Sequence, residues 1–92
     1  MRFEFKPSFE RSLKSFHPDK QDSIKKVTGI AIDILSRRLI AYEGIGLKHL
    51  RGSYWEVRQG LKVRVLFRLS DDYVEFILAG DHEDVRRFLK HV

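Results

Sequence analysis

The chain has 92 residues, no cysteine and a net charge of +5, with 42% apolar and 12% aromatic residues. That length supports one domain, 1–92, with a single thin core, and the composition excludes a disordered chain. No apolar run approaches the ~18 residues of a membrane span, MRFEFKPSFE is too charged for a secretory signal, and disulfides and thiolate metal sites are excluded, so a cytoplasmic setting is expected.

RFEFK alternates polar and apolar residues and predicts a short strand. Pro7-Ser8 opens a helix with Ser8 as N-cap, and Phe9, Leu13 and Phe16 form its apolar stripe. His17-Pro18 ends that helix, because the residue before proline avoids the helical region; His17 is read as a loop residue. A second helix is expected from about Asp19 to Tyr42, with Ile24, Val27, Ala31, Ile34 and Leu35 on one face and Gly44 as its stop. After the polar segment KHLRGS, where His49 is read as a surface residue, YWEVRQ, KVRVLFRL and YVEFILAG predict a β-meander. Val63, Val65, Phe67 and Leu69 share one face with Trp55 and Val57, and Lys62, Arg64, Leu66 and Arg68 share the other with Tyr54, Glu56 and Arg58. This parity favours a three-residue loop that pairs Arg58 with Lys62 and Glu56 with Arg64. A last helix begins near Asp81, its cap, and buries Val85, Phe88 and Leu89. The expected fold is α+β: two N-terminal antiparallel helices on a four-stranded, mainly antiparallel sheet, with a short C-terminal helix. The sheet would be apolar towards the helices and basic on its open face.

The charge is localised. Lys48, Arg51, Arg58, Lys62, Arg64 and Arg68 stand against the single acid Glu56 between residues 48 and 69, while the rest of the chain is balanced. Such a block suits a polyanion or an acidic partner. GxxxxGK[ST], GxGxxG and HExxH are absent, and His17, His49, His82 and His91 lack metal-ligand spacing, so no metal or cofactor is expected. Guanidinium forks at Arg58 and Arg64, on neighbouring strands, suit a phosphodiester. The alternative for Arg64 is an ion pair with Glu56, worth a few tenths of a kcal/mol on an exposed face. His82, in AGDHEDVRRFLKHV, lies at the end of the strand beside the central one, where its ring can reach over the edge towards the arginines. It is a candidate for proton transfer.

Taken in order, FKPSFERSLKSF, GLKHLRGSYWEVRQG, KVRVLFRL and FILAGDHEDVRRFL resemble the RelE/ParE superfamily of toxins from prokaryotic toxin–antitoxin systems. The resemblance spans nearly the whole chain. For the RelE-like branch it implies metal-independent mRNA endonuclease activity, usually in the ribosomal A site. The 2′-hydroxyl attacks the adjacent phosphate, leaving a cyclic phosphate and a free 5′-hydroxyl. It implies catalytic roles for Arg64, at the scissile phosphate, for Arg58, and for His82 as general acid or base. Lys48, Arg51, Lys62, Arg68 and Arg86 would bind RNA. The implied partners are the ribosome, mRNA and a cognate acidic antitoxin covering the basic face in a hetero-oligomer. Two positions depart from the pattern: Glu56 replaces the first of two basic residues, and no tyrosine follows Tyr73. The competing functions are a ParE-like gyrase inhibitor that cleaves nothing and a non-toxic RNA- or protein-binding relative.

Overall fold

Strand alternation and helical periodicity sort the chain into β1 (Arg2–Phe5), α1 (Pro7–Lys14), α2 (Pro18–Leu35), β2 (Ile45–Arg51), β3 (Tyr54–Gln59), β4 (Val63–Ser70), β5 (Tyr73–Gly80) and α3 (His82–Leu89). The structure is a computed structural model and describes residues 1–60 and 62–92. The strands form one sheet in the order β1-β5-β4-β3-β2, antiparallel except where β1 runs parallel to β5.

The sheet therefore has five strands, not the expected four. The additional strand, β2, contains the segment KHLRGS up to Arg51, which the sequence presents as a polar connection. Ile45 and Leu47 pack on the main core, Leu50 alternates onto the opposite face, and a register shift between His49 and Arg51 brings Arg51 opposite Tyr54 on that same face. His49 sits where this strand turns into β3, its Nε2 2.8 Å from the Gly52 carbonyl.

The second helix stops at Leu35, seven residues before the expected Tyr42. Continuing its stripe would carry Arg38 and Tyr42 onto the buried face; instead Arg37 adopts a left-handed backbone (φ 62°) and Ile40 is left in solvent. At the other end His17 is a cap rather than a loop residue, its Nδ1 accepting the Asp19 N–H at 3.2 Å.

The faces sort as parity predicts. Phe9, Ile24, Val27 and Ala31 of the two N-terminal helices close on Val57, Val65, Phe67, Val74 and Phe76. Each such side chain, fully buried, contributes roughly 1.5–3 kcal/mol. A bulge in β5, where Leu66 opposes Leu78 and Phe67 opposes Phe76, keeps Leu78 on the same face as Ile77 and returns Ala79 to the main core. Ser8, expected to cap α1, serves this bulge: its Oγ donates to the Ile77 carbonyl at 2.5 Å, and Ser12 Oγ accepts the Ala79 N–H at 2.9 Å. Lys6 takes the cap position, and Pro7 opens the helix.

The basic face is not open. α3 lies across it, and Val85, Phe88 and Leu89 pack on Leu66, Ile77 and Tyr54 to form a second, smaller core. The β3–β4 register also differs from expectation by two residues: Arg58 opposes Arg64 and Glu56 opposes Leu66. A two-residue slip preserves every face assignment. The connection spans Gly60 to Lys62, and Leu61, part of the expected loop, lies outside the described residues.

Candidate functional site

Laying a helix over a basic sheet face creates a cleft along its flank. The cleft has a volume of about 280 Å³. β2 contributes Lys48, Leu50 and Arg51, β3 contributes Glu56 and β4 contributes Arg64. α3 closes it with His82, Val85, Arg86 and Leu89. Leu50, Val85 and Leu89 are its apolar members. Around it stand four permanent cations, two histidines (His49 of β2 and His82) and one carboxylate.

Glu56 and Arg64 are the innermost charged pair. They are diagonal neighbours on β3 and β4, and Arg64 Nη1 donates to Glu56 Oε2 at 2.5 Å. Their side chains are only 3% and 11% exposed. A pair this enclosed is governed by desolvation as much as by attraction, unlike the exposed pair weighed from sequence. Arg64 Nε is buried and, among the described residues, has no hydrogen-bond partner.

His82 arrives by different means. Asp81 caps α3: its carboxylate accepts the Asp84 N–H at 3.0 Å, and the Asp84 carboxylate accepts the Asp81 N–H at 2.9 Å. The Asp84 backbone donor, opposed by partial desolvation, holds the Asp81 carboxyl below its ordinary value. Gly80 permits the turn, because a Cβ there would stand 2.7 Å from Asp84 Cβ. The box fixes the first helical position, and His82 occupies it, exposed at the cleft. The acids around the histidine are thus largely engaged: two form the box, and Glu83 lies 3.8 Å from Arg86.

Of the sequence-predicted residues, Arg64, His82, Lys48, Arg51 and Arg86 line this cleft; Arg58, Lys62 and Arg68 do not. Arg58 stands directly opposite Arg64 at its margin. Lys62 is exposed at the turn, and Arg68 lies at the far end of β4, over the Tyr54 ring and 3.8 Å from Glu75. Arg51 also has a structural duty, donating to the carbonyls of Leu89 and Val92 at the end of α3. The burial of Glu56 was missed from sequence. Parity placed it with Arg64, but only the crossing of α3 encloses the pair. A larger groove of about 420 Å³ on the opposite flank of α3, between Ser12, Phe16 and Phe88, carries none of the predicted residues.

No three His, Cys, Asp or Glu residues gather to hold a metal among the described residues, nor is any helix there long and apolar enough to cross a membrane. No protein-family model matches the sequence, and no curated protein does. Solved structures do match. The toxin in the RelB–RelE complex of Methanococcus jannaschii is 15% identical, with 92% of this chain and 96% of that chain covered at a TM-score of 0.65. For YafQ of E. coli the identity is 13%, the coverage 90% and 94%, and the TM-score 0.66. The YoeB–YefM complex of Staphylococcus aureus gives 17%, 87% and 94%, and 0.60. This chain has the fold of the RelE-type toxins.

Proposed function

We propose that the protein is the toxin of a toxin–antitoxin pair and acts as a metal-independent, ribosome-dependent mRNA endoribonuclease. One observation carries the reading: Arg64 from the central strand and His82 from the start of α3 line a single cationic cleft. The resemblance assigns catalysis to these two positions, and they are 18 residues apart in sequence.

The chemistry follows from the groups. A phosphodiester enters a cleft whose cations outnumber its carboxylate. Lys48 and Arg86 draw the backbone in, and Arg64 meets the charge that grows on the phosphate oxygens as the 2′-oxygen attacks. Arg58, at the margin, holds the flanking phosphate. His82 exchanges the proton that must leave the 2′-hydroxyl or reach the 5′-oxygen, a role worth ~10²–10⁴-fold in rate. The products are a 2′,3′-cyclic phosphate and a 5′-hydroxyl. An acidic antitoxin segment laid over the same cations would block substrate entry, which supports a hetero-oligomeric inhibited state in the cytoplasm.

The test is induced expression of wild type and His82→Ala with primer extension on cellular mRNA. New 5′-hydroxyl ends in wild type that disappear in the variant support the nuclease. Growth arrest with intact mRNA and damaged DNA would transfer the protein to gyrase inhibition. In vitro, RNA affinity should fall steeply with salt, and Lys48→Ala should reduce the log–log slope by about 0.7.

A further inference from the structure

The cleft contains an anion of its own. We propose that Glu56 is its resident counter-anion, a positioning residue that holds Arg64 in place and competes with phosphate for it. The inference rests on the reading of this cleft as a phosphodiester site and adds how tightly the site is set to bind.

Four observations support it. Glu56 is enclosed, 2% exposed, yet forms part of the cleft wall, so its carboxylate faces whatever enters. It accepts from Arg64 Nη1 at 2.5 Å, occupying a donor a phosphate would use. Arg64 Nε has no partner among the described residues, so the guanidinium is held at one edge and unsatisfied at another. Arg58 stands directly opposite Arg64, a like-charge pairing that is unfavourable by itself. Glu56, diagonal to this pair, offsets the repulsion and keeps Arg64 ordered in the empty cleft. The same negative charge then repels an incoming phosphate, so affinity is sacrificed for a preset arginine and for easier product release.

Glu56→Gln separates the two effects, since the amide keeps an acceptor for Arg64 and removes the charge. Glu56→Met removes both at similar volume. The probe is inorganic phosphate at fixed ionic strength, followed through the ¹⁵N–¹H resonance of Arg64 Nε. Both variants should bind phosphate about tenfold more tightly than wild type, the scale expected for deleting one nearby like charge in a partly enclosed site. Only the Gln variant should keep a single sharp Nε resonance before phosphate is added. Unchanged affinity in whichever variant folds, or a wild-type Arg64 Nε resonance that phosphate never moves, overturns the proposal. A merely structural Glu56 would lower stability without changing the phosphate affinity. The underlying reading fails separately: phosphate would still bind more tightly to the variants, while primer extension finds no cleaved mRNA.

Discussion

Replacing Arg64 by alanine should damage the fold before it reveals anything about chemistry. The substitution leaves the Glu56 carboxylate, 3% exposed, without the cation that compensates it. Removing one partner of a buried pair costs roughly 3–5 kcal/mol. A domain of this size has only about 5–15 kcal/mol in total. Each kcal/mol moves the melting temperature by about 4–8 °C in a domain of 60–100 residues, so the drop should be at least roughly 12 °C. Replacing both partners with apolar side chains, as in Glu56→Leu with Arg64→Met, should recover most of the loss because no bare charge remains. Urea denaturation followed by circular dichroism on wild type, both single variants and the double variant measures the coupling directly. A cost below about 1 kcal/mol for Arg64→Ala, the range of exposed pairs, would refute the argument. So would a double variant no more stable than the sum of the singles predicts.

Gly80→Ala should destabilise by about 1–3 kcal/mol, the range for overpacking, because its new Cβ meets Asp84 and opens the capping box; chemical denaturation reads the loss, and an unchanged midpoint would contradict it. Asp81 has a folded-state pKa below its unfolded one, so its contribution is complete above the ordinary aspartate value and is lost as pH falls through the lowered value. The protection factors of the α3 amides, exchange relative to the intrinsic rate at each pH, should therefore fall at acid pH, and Asp81→Asn, which keeps an acceptor, should flatten that dependence. Tyr73 donates to Glu4, which pushes the phenol up to about 12. Here the neutral form is favoured, so the contribution is complete below the unfolded value and disappears as pH rises through about 12. Ultraviolet titration should show one late tyrosine that Tyr73→Phe removes and Glu4→Gln moves to lower pH.

The fold was legible where one face of an element is uniformly apolar. β3 and β4 alternate cleanly, and a period-2 pattern survives a two-residue slip in register, so the face assignments held although the pairs shifted. β2 was hidden because its few apolar residues serve both faces, Ile45 and Leu47 the main core and Leu50 the second, among glycine and polar residues. The end of α2 was hidden because apolar residues continue past Leu35 into Leu39, Ile40 and Tyr42, which do not reach the core. The site was partly legible for a related reason. Lys48, Arg64 and the α3 residues His82 and Arg86 come from three separate segments, and ordering those segments by resemblance was enough to group them. The covering of the basic face was not legible, since nothing local to Glu56 or Arg64 tells that α3 crosses above them.

That covering divides the two principal residues of the cleft by how they can be tested. Arg64 is held from within: it shares a buried hydrogen bond, and its loss propagates into the second core through the bare carboxylate beneath α3. His82 is held from outside, by a capping box built from Asp81 and Asp84, and its own side chain is exposed. Deleting the imidazole therefore removes a chemical group and little else, whereas deleting the guanidinium removes a group and a structural charge together. Arg64→Lys keeps the charge beside Glu56 but loses the planar fork that bidentate phosphate contact requires. If the cleft is a phosphodiester site, His82→Ala should abolish cleavage while RNA affinity persists, and Arg64→Lys should weaken both in a protein that still folds. A cleavage defect in Arg64→Ala alone would not separate catalysis from collapse of the pair.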